Sequence, residues 1–337
     1  MSISVSMRLV SIALLFGCTI QLLAKDHKQA QKAVLPKHVL VGYWQNFVSP
    51  DTAVQTLMQV PANYTMVEIA FANPNRPIDG GVSFEIDPQL AKAVPGGYST
   101  ARFTEDIKTL HRQGRFVLLS IGGQHRSFAL TSDVMVSNFV SSTTALIQRF
   151  GFDGIDIDLE NVITADNYKY LESALRQLSE QSTKPMITLA PQTNDMLPAN
   201  PRLDNYMKIA VDLGDAITMV NTQFYNSGTK RGRDGKVYIA GTIDFVTSLT
   251  DAMLQYLDPA RVGVGFPITP KDRGYLEPEM VNAVLDCLTA GTNCGSYVPV
   301  AKYPSLRGAM FWSTNWDAAS GNKFGNSTAT HLKALAK

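Results

Sequence analysis

Residues 152–161 read Phe-Asp-Gly-Ile-Asp-Ile-Asp-Leu-Glu-Asn. Side chains of a strand alternate between its two faces. Ile155, Ile157 and Leu159 therefore share one face, and Asp156, Asp158 and Glu160 share the other. The apolar face calls for a buried strand, which takes three neighbouring carboxyl groups away from bulk water. Buried charges need partners, and like charges this close do not all ionise. The row is expected to share a proton along its length, with at least one raised carboxyl pKa, as a general acid working near neutral pH requires. Three plainer readings compete. A solvated edge strand fits poorly with the apolar residues at 155, 157 and 159. A metal site would want companion histidines or a calcium-loop pattern, and the row has neither. The third is a structural accident.

The rest of the chain supplies a frame for such a strand. Apolar runs recur at His38–Tyr43, Met66–Ala72, Arg115–Ile121, Gly154–Leu159, Met186–Ala190, Ala216–Gln223, Arg261–Phe266 and Gly308–Trp312. Amphipathic stretches lie between them, among them Phe139–Phe150, Tyr168–Gln181, Tyr206–Leu213, Ile243–Leu257 and Pro278–Ala290. Strands alternating with helices predict a parallel sheet, and eight repeats predict a closed (β/α)8 TIM barrel. The 337 residues, 45% hydrophobic and 18% charged, suffice for one α/β barrel, which takes about 250 residues or more. A net charge of +1 gives no electrostatic case for a nucleic acid or a membrane surface and leaves a neutral polymer as the reasonable partner. No Pro/Thr/Ser linker and no cysteine-rich or aromatic-rich module follows residue 313. Residues 38–337 are therefore expected to form a single catalytic domain, acting as a monomer.

At the N-terminus Arg8 precedes an apolar run, Leu9 to Leu23, interrupted by Ser11, Gly17, Cys18, Thr19 and Gln21, and a polar stretch begins at Lys25. The run is short for a membrane span, and small residues near its end suit cleavage. Residues 1–24 read as a signal peptide cut after Ala24, with Met7 as an alternative start, and residues 25–37 as a flexible lead-in. Lipidation at Cys18 is a second option, because Leu15-Phe16-Gly17-Cys18 partly resembles a bacterial lipoprotein box, although Phe16 fits it poorly. The expectation is a secreted or periplasmic protein with no integral membrane contact in its mature form. Removal of the signal leaves Cys287 and Cys294. An even count in an exported chain suggests one disulfide across the turn-rich interval 288–293, with two free thiols as the alternative.

The pattern D-x-x-D-x-D-x-E formed by Asp153, Asp156, Asp158 and Glu160 resembles the signature of glycoside hydrolase family 18, the chitinase family, and Phe152-Asp153-Gly154 fits beside it. Ser120-Ile121-Gly122-Gly123, one βα unit earlier, resembles the family's S-x-G-G motif, where glycine permits close backbone approach to the acidic row; by itself the pair would read as a simple turn. Barrel enzymes carry their chemistry at the C-terminal ends of the strands. Tyr43–Asn46, Phe71–Asn73, Ala190–Gln192, Gln223–Asn226 and Phe311–Ser313 stand at such ends and resemble the sugar-binding strand ends of plant class III and short bacterial chitinases.

That resemblance implies substrate-assisted retention rather than the two-carboxylate scheme. Glu160 would protonate the glycosidic oxygen, and the substrate's own N-acetyl carbonyl would attack the anomeric carbon. Asp158 would hold the acetamide N–H, Asp156 would share the proton from behind it, and Tyr225 would donate to the acetamide carbonyl. Trp312 would floor the sugar at the cleavage site. Gln223, Asn226, Gln192, Tyr43, Phe71 and Gly123 would complete the substrate-binding set, while Asp153, Ser120 and Gly122 would be structural. Many family members carry Asp after the corresponding tyrosine, and Asn226 removes that charge. No metal or cofactor is implied, and the substrate would be chitin or chitooligosaccharides. An endo-β-N-acetylglucosaminidase acting on N-glycan cores and a catalytically inactive chitin-binding lectin are the competing readings. Intact Glu160 argues against the lectin, and the chitinase-like runs 158–161 and 223–226 argue against the endoglycosidase. Only Pro267 to Arg307 separates the last two strands, which leaves no room for the extra α+β module of processive relatives. An open cleft and cuts within the polymer follow, unless long loops such as Asn73–Thr104 rebuild the wall.

Overall fold

The computed structural model of the protein describes residues 34–196 and 205–336. The expected signal peptide, Cys18 and the lead-in as far as residue 33 lie outside the described residues. Eight parallel strands form the core of the fold: β1 (Val39–Gln45), β2 (Met66–Pro74), β3 (Phe116–Gly122), β4 (Gly154–Asp158), β5 (Met186–Leu189), β6 (Met219–Gln223), β7 (Val262–Pro267) and β8 (Gly308–Trp312). Each pairs with the next, and β8 pairs back onto β1, so the sheet closes. This is the (β/α)8 barrel that the alternation of apolar runs predicts.

The period-2 pattern sorts side chains into two layers. Ile155, Ile157 and Leu159 face outward into the strand–helix core, together with Val67, Ile69, Val117 and Leu119. Val39, Val41, Met66, Phe116, Leu118, Met219 and Met310 fill the barrel lumen with apolar side chains. Helices cover the outside, with ends set by local chemistry. Ser132 accepts the Met135 N–H and starts the helix Asp133–Phe150, which Gly151 ends at a φ of 78°. Pro278 opens the helix Pro278–Ala290, and Gly291 closes it in the left-handed region.

Several sequence boundaries need correction. The helix expected from Phe139 begins at Asp133, because the Ser132 cap outweighs the polar residues that follow it. The strand expected from Ala216 begins at Met219, because Gly214–Ala216 form a 3-10 turn closed by Ile217 N–H to Gly214 O. The strand expected to include Leu159 ends at Asp158, because Tyr206 takes over the Leu159 backbone: its hydroxyl accepts the Leu159 N–H at 3.0 Å and donates to the Leu159 carbonyl at 2.9 Å. At the other end of the barrel, Leu35 packs against the lumen residues and Arg307 Nη1 donates to Pro36 O at 2.8 Å. That part of the expected lead-in lies against the barrel.

Between β7 and β8 the chain carries the helix Pro278–Ala290, and a disulfide ties Cys287 of its last turns to Cys294 in the loop that follows. Among the described residues no helix is long and apolar enough to cross a membrane.

Gly154 starts the acidic strand because nothing larger fits: a Cβ there would lie 2.0 Å from the Met186 carbonyl oxygen of the neighbouring strand. Backbone in a central ladder gives way less readily than a side chain. Gly154→Ala is expected to destabilise the protein by at least the ~1–3 kcal/mol typical of overpacking. Urea unfolding checks this, and an unchanged midpoint would contradict it.

Candidate active site

The strand order brings one residue type after another to the upper lumen. β4 supplies Asp156 and Asp158, both buried, with Glu160 half-buried just beyond the strand end. Asp156 is enclosed by hydroxyls. Tyr43 from β1 and Ser120 from β3 each donate to its Oδ2 at 2.7 Å, and Thr188 from β5 lies 2.8 Å from its Oδ1. Asp158 Oδ1 accepts from Gln223 Nε2 at 2.7 Å, and the same amide donates to Ala190 O at 2.9 Å. Glu160 Oε2 accepts from Gln192 Nε2 at 3.1 Å. Its backbone N–H donates to Ser127 Oγ at 2.7 Å, and that hydroxyl donates to Gly123 O.

The loop after β3 reaches the row through two glycines. Gly122 has a φ of 124°, and a Cβ on it would stand 2.1 Å from Asp158 O. Gly123 has a φ of 75°, donates its N–H to Asp158 O at 2.7 Å, and touches the Phe71 ring where a Cβ would be. Any side chain at 122 would push the loop off the acidic strand.

Above the row opens a cleft of about 650 Å³. Of the residues named from the sequence, Phe71, Gly123, Asp158, Glu160, Gln192, Gln223, Tyr225, Asn226 and Trp312 line it. Tyr43, Ser120 and Asp156 are buried beneath. Phe71 and Trp312 stack with ring centroids 5.7 Å apart and planes 18° apart, and Tyr43 meets Trp312 edge-on at 5.4 Å. Strict alternation would send Phe71 outward; the register shift between Ile69 and Ala72 turns it into the cleft. Asn226, at a φ of 53°, links two loops: its Oδ1 accepts the Arg273 N–H at 3.1 Å and its Nδ2 donates to Asp272 at 3.3 Å. Asp153 lies apart from the cleft, where its Oδ2 accepts the Val117 N–H at 2.8 Å and meets His111 Nε2 at 2.9 Å.

Sequence reasoning overlooked several contributors. His125 and Arg126 line the cleft from the loop after β3, and Asp195 accepts the Gln192 N–H that sets the strand end beside Glu160. Glu68 from β2 is another: fully buried, with Oε1 2.9 Å from Thr188 Oγ1. Its signal was a single carboxylate in the apolar run Met66–Ala72, in phase with Met66 and Ala70 and so facing the lumen.

The electrostatics follow from burial. Asp158 is pushed well above the usual carboxyl range, first by desolvation and then by Glu160, Asp156 and Glu68. Burial raises Asp156 to about 6 against the lowering effect of its three hydroxyl partners. Burial also raises Glu160, opposed by Gln192 and by His125. Tyr225 and Tyr43, raised by burial and by the nearby carboxylates, keep their hydroxyl hydrogens. The arrangement can therefore hold a protonated acid at the cleft surface beside a second carboxyl and a phenol donor.

The chain matches the family model for glycosyl hydrolases family 18 over residues 39–273. Exochitinase 1 of Streptomyces olivaceoviridis is 32% identical over 332 residues, which is 87% of this chain and 55% of that protein. The chain thus spans about half the length of that relative. A solved structure from Streptomyces coelicolor, named for a chitinase A, is 42% identical with a TM-score of 0.82 and covers 88% of this chain and 99% of that one. A family GH18 chitinase from Chromobacterium violaceum is 30% identical with a TM-score of 0.82, covering 90% of this chain and 85% of that one.

A raised carboxyl pKa in the folded state gives stability that is full below the unfolded value near 3.8 and is lost as pH rises through about 6. Asp156→Asn removes that titration. Between about pH 4 and about pH 8 the wild type should lose more stability than the variant. Thermal melts at both pH values decide it, and equal losses would refute the assignment. On the match of the family model over most of the barrel and the relative 32% identical across 87% of the chain, this protein belongs to the glycosyl hydrolases of family 18.

Proposed function

We propose that the protein is an exported chitinase that hydrolyses β-1,4 bonds between N-acetylglucosamine units within the polymer, by substrate-assisted retention. One observation carries this reading. Glu160, its pKa raised by burial, stands at the cleft edge in the grip of Gln192, and one strand period away Asp158 stands in the grip of Gln223. The first is suited to give a proton to the glycosidic oxygen. The second is suited to accept the N–H of an acetamide.

In this mechanism Trp312, stacked on Phe71, floors the sugar whose bond is cut. The acetamide oxygen attacks the anomeric carbon as Glu160 protonates the leaving oxygen, and an oxazolinium ion forms. Asp158 accepts the acetamide N–H and balances the positive charge, while Tyr225 donates to the acetamide oxygen and aligns it. Glu160, now a carboxylate, takes a proton from the water that reopens the ring from the vacated face. Two inversions at the anomeric carbon return the original configuration. The relatives at 30% identity or more are named chitinases, which favours this reading over a glycan-core endoglycosidase or a lectin.

Export rests on the character of residues 1–24 and agrees with a disulfide, since such bonds persist in oxidising compartments.

Glu160→Gln should leave the melting temperature within a few degrees of wild type and lower kcat by about two to four orders of magnitude, because an amide has no proton to deliver. Half of wild-type activity in the variant would sink the assignment.

Internal cutting is supported by the shape of the cleft. Its lining includes no residue of the segment Asn73–Thr104, the one that would rebuild the wall. The segment between β7 and β8 is taken up by one helix and the disulfide loop. The viscosity of a soluble chitin derivative should fall early relative to reducing-end release, and fully deacetylated chitosan, which lacks the internal nucleophile, should be inert. The Streptomyces olivaceoviridis relative carries an exo name, which makes release from chain ends the second reading. A slow fall in viscosity with chitobiose as the sole early product would favour it.

A further inference from the structure

A hydroxyl has one hydrogen to give. Tyr43 and Ser120 give theirs to Asp156 Oδ2. Thr188 Oγ1 lies 2.8 Å from Asp156 Oδ1 and 2.9 Å from Glu68 Oε1, and its single hydrogen serves only one of them. The remaining contact joins two oxygens at hydrogen-bond distance, so its hydrogen has to come from a carboxyl group. One of the two acids is therefore protonated. Asp156, with two hydroxyls already on Oδ2 and a third at Oδ1, is the better-stabilised anion. Glu68 has Thr188 at 2.9 Å and the Asn221 amide at 3.5 Å; the nearby Tyr43 hydroxyl has its hydrogen on Asp156, and Glu68 Oε2 has no partner among the described residues. The hydrogen thus belongs to Glu68, which donates to Thr188, which donates in turn to Asp156.

We propose that Glu68 is a positioning residue for the hydrolysis: it stores a proton at the base of the carboxyl row and, through Thr188, keeps Asp156 ionised, so that the next proton resides on Asp158 beneath the cleft. The row then alternates neutral, anionic, neutral, which separates like charges in the lumen. Tyr43 faces the pair from β1, Ser120 from β3, Asp158 from β4 and Asn221 from β6. β7 presents Gly263 and Gly265, and β8 presents Met310. No lysine, arginine or histidine among these offsets either acid. Burial and Asp156 push Glu68 well above the usual range, the direction this assignment needs. The functional half of the proposal rests on the reading of Asp158 as the acetamide partner; the location of the proton does not.

The test pairs carbon NMR of ligand-free protein labelled at the glutamate carboxyls with pH–rate profiles. One glutamate resonance should stay at its protonated position through about pH 7 and vanish in Glu68→Gln. Should that variant not fold, the resonance is assigned by its persistence in Glu160→Gln. Glu68→Gln keeps a donor to Thr188, so kcat should stay within about threefold with an unmoved acid limb. Thr188→Val takes one donor from Asp156, so its acid limb should move to higher pH by about half a unit or more. An ionised Glu68 at neutral pH would overturn the proposal. So would an acid limb in Glu68→Gln that drops by about one unit, the mark of a lost negative neighbour. If wild type fails to cleave chitin, the function is wrong, and the NMR still decides where the proton sits.

Discussion

The structure turns on a desolvated row of carboxyl groups inside a closed barrel, held mainly by hydroxyls and amides. Glu68 and Asp156 are fully buried, and Asp158 and Glu160 carry the row up into the cleft. Removing such groups from water is costly, and the cost falls mainly on the charged forms. The protein meets it with hydroxyls and amides: Tyr43, Ser120 and Thr188 around Asp156, Gln223 on Asp158, and Gln192 on Glu160. These partners stabilise some negative charge but not four full charges, so the row retains protons. A cation packed against Glu68 and Asp156 would favour their charged forms and lower their pKa values; at the open end of the row His125 does this in part for Glu160.

The barrel converts that constraint into position. A row of side chains pointing into a lumen requires a strand whose neighbours come close, and Gly154 and Gly122 allow backbone approach where any side chain would collide. Where the ladder ends at Asp158, Tyr206 and Ser127 take over the backbone of Leu159 and Glu160. The catalytic candidate therefore sits on a loop held by hydrogen bonds to fixed groups, which limits its freedom without burying it. The aromatic floor depends likewise on an irregularity, the register shift in β2 that turns Phe71 under Trp312.

The relation between site and activity runs through what each group is free to do. Asp156 is buried with its hydroxyl partners inside the lumen, so in the proposed mechanism its influence passes through Asp158. Asn226, where a charge is common in the family pattern, here links the loops after β6 and β7, and its amide reaches Asp272 at the cleft rim. The negative charge missing at 226 thus stands one residue contact away, on a different loop.

The alternation at 155–160 was enough to determine a buried strand with one acidic face, and eight apolar runs separated by helical stretches were enough to determine a closed parallel barrel, because both signals are local periodicities. The strand-end motifs carried most of the cleft for the same reason: barrel topology sends every strand end to one rim. Other features arose only when distant segments met. Glu68 reads as one acid in an apolar run, and its meeting with Asp156 depends on Thr188, 120 residues further along the chain. The role of Tyr206 as a backbone partner of Leu159, and the diversion of Asn226 into a loop link, likewise need the closed fold. Sequence period determines which face a side chain takes; only the register and closure of the barrel decide which side chains share that face, and so where the protons of a crowded carboxyl row reside.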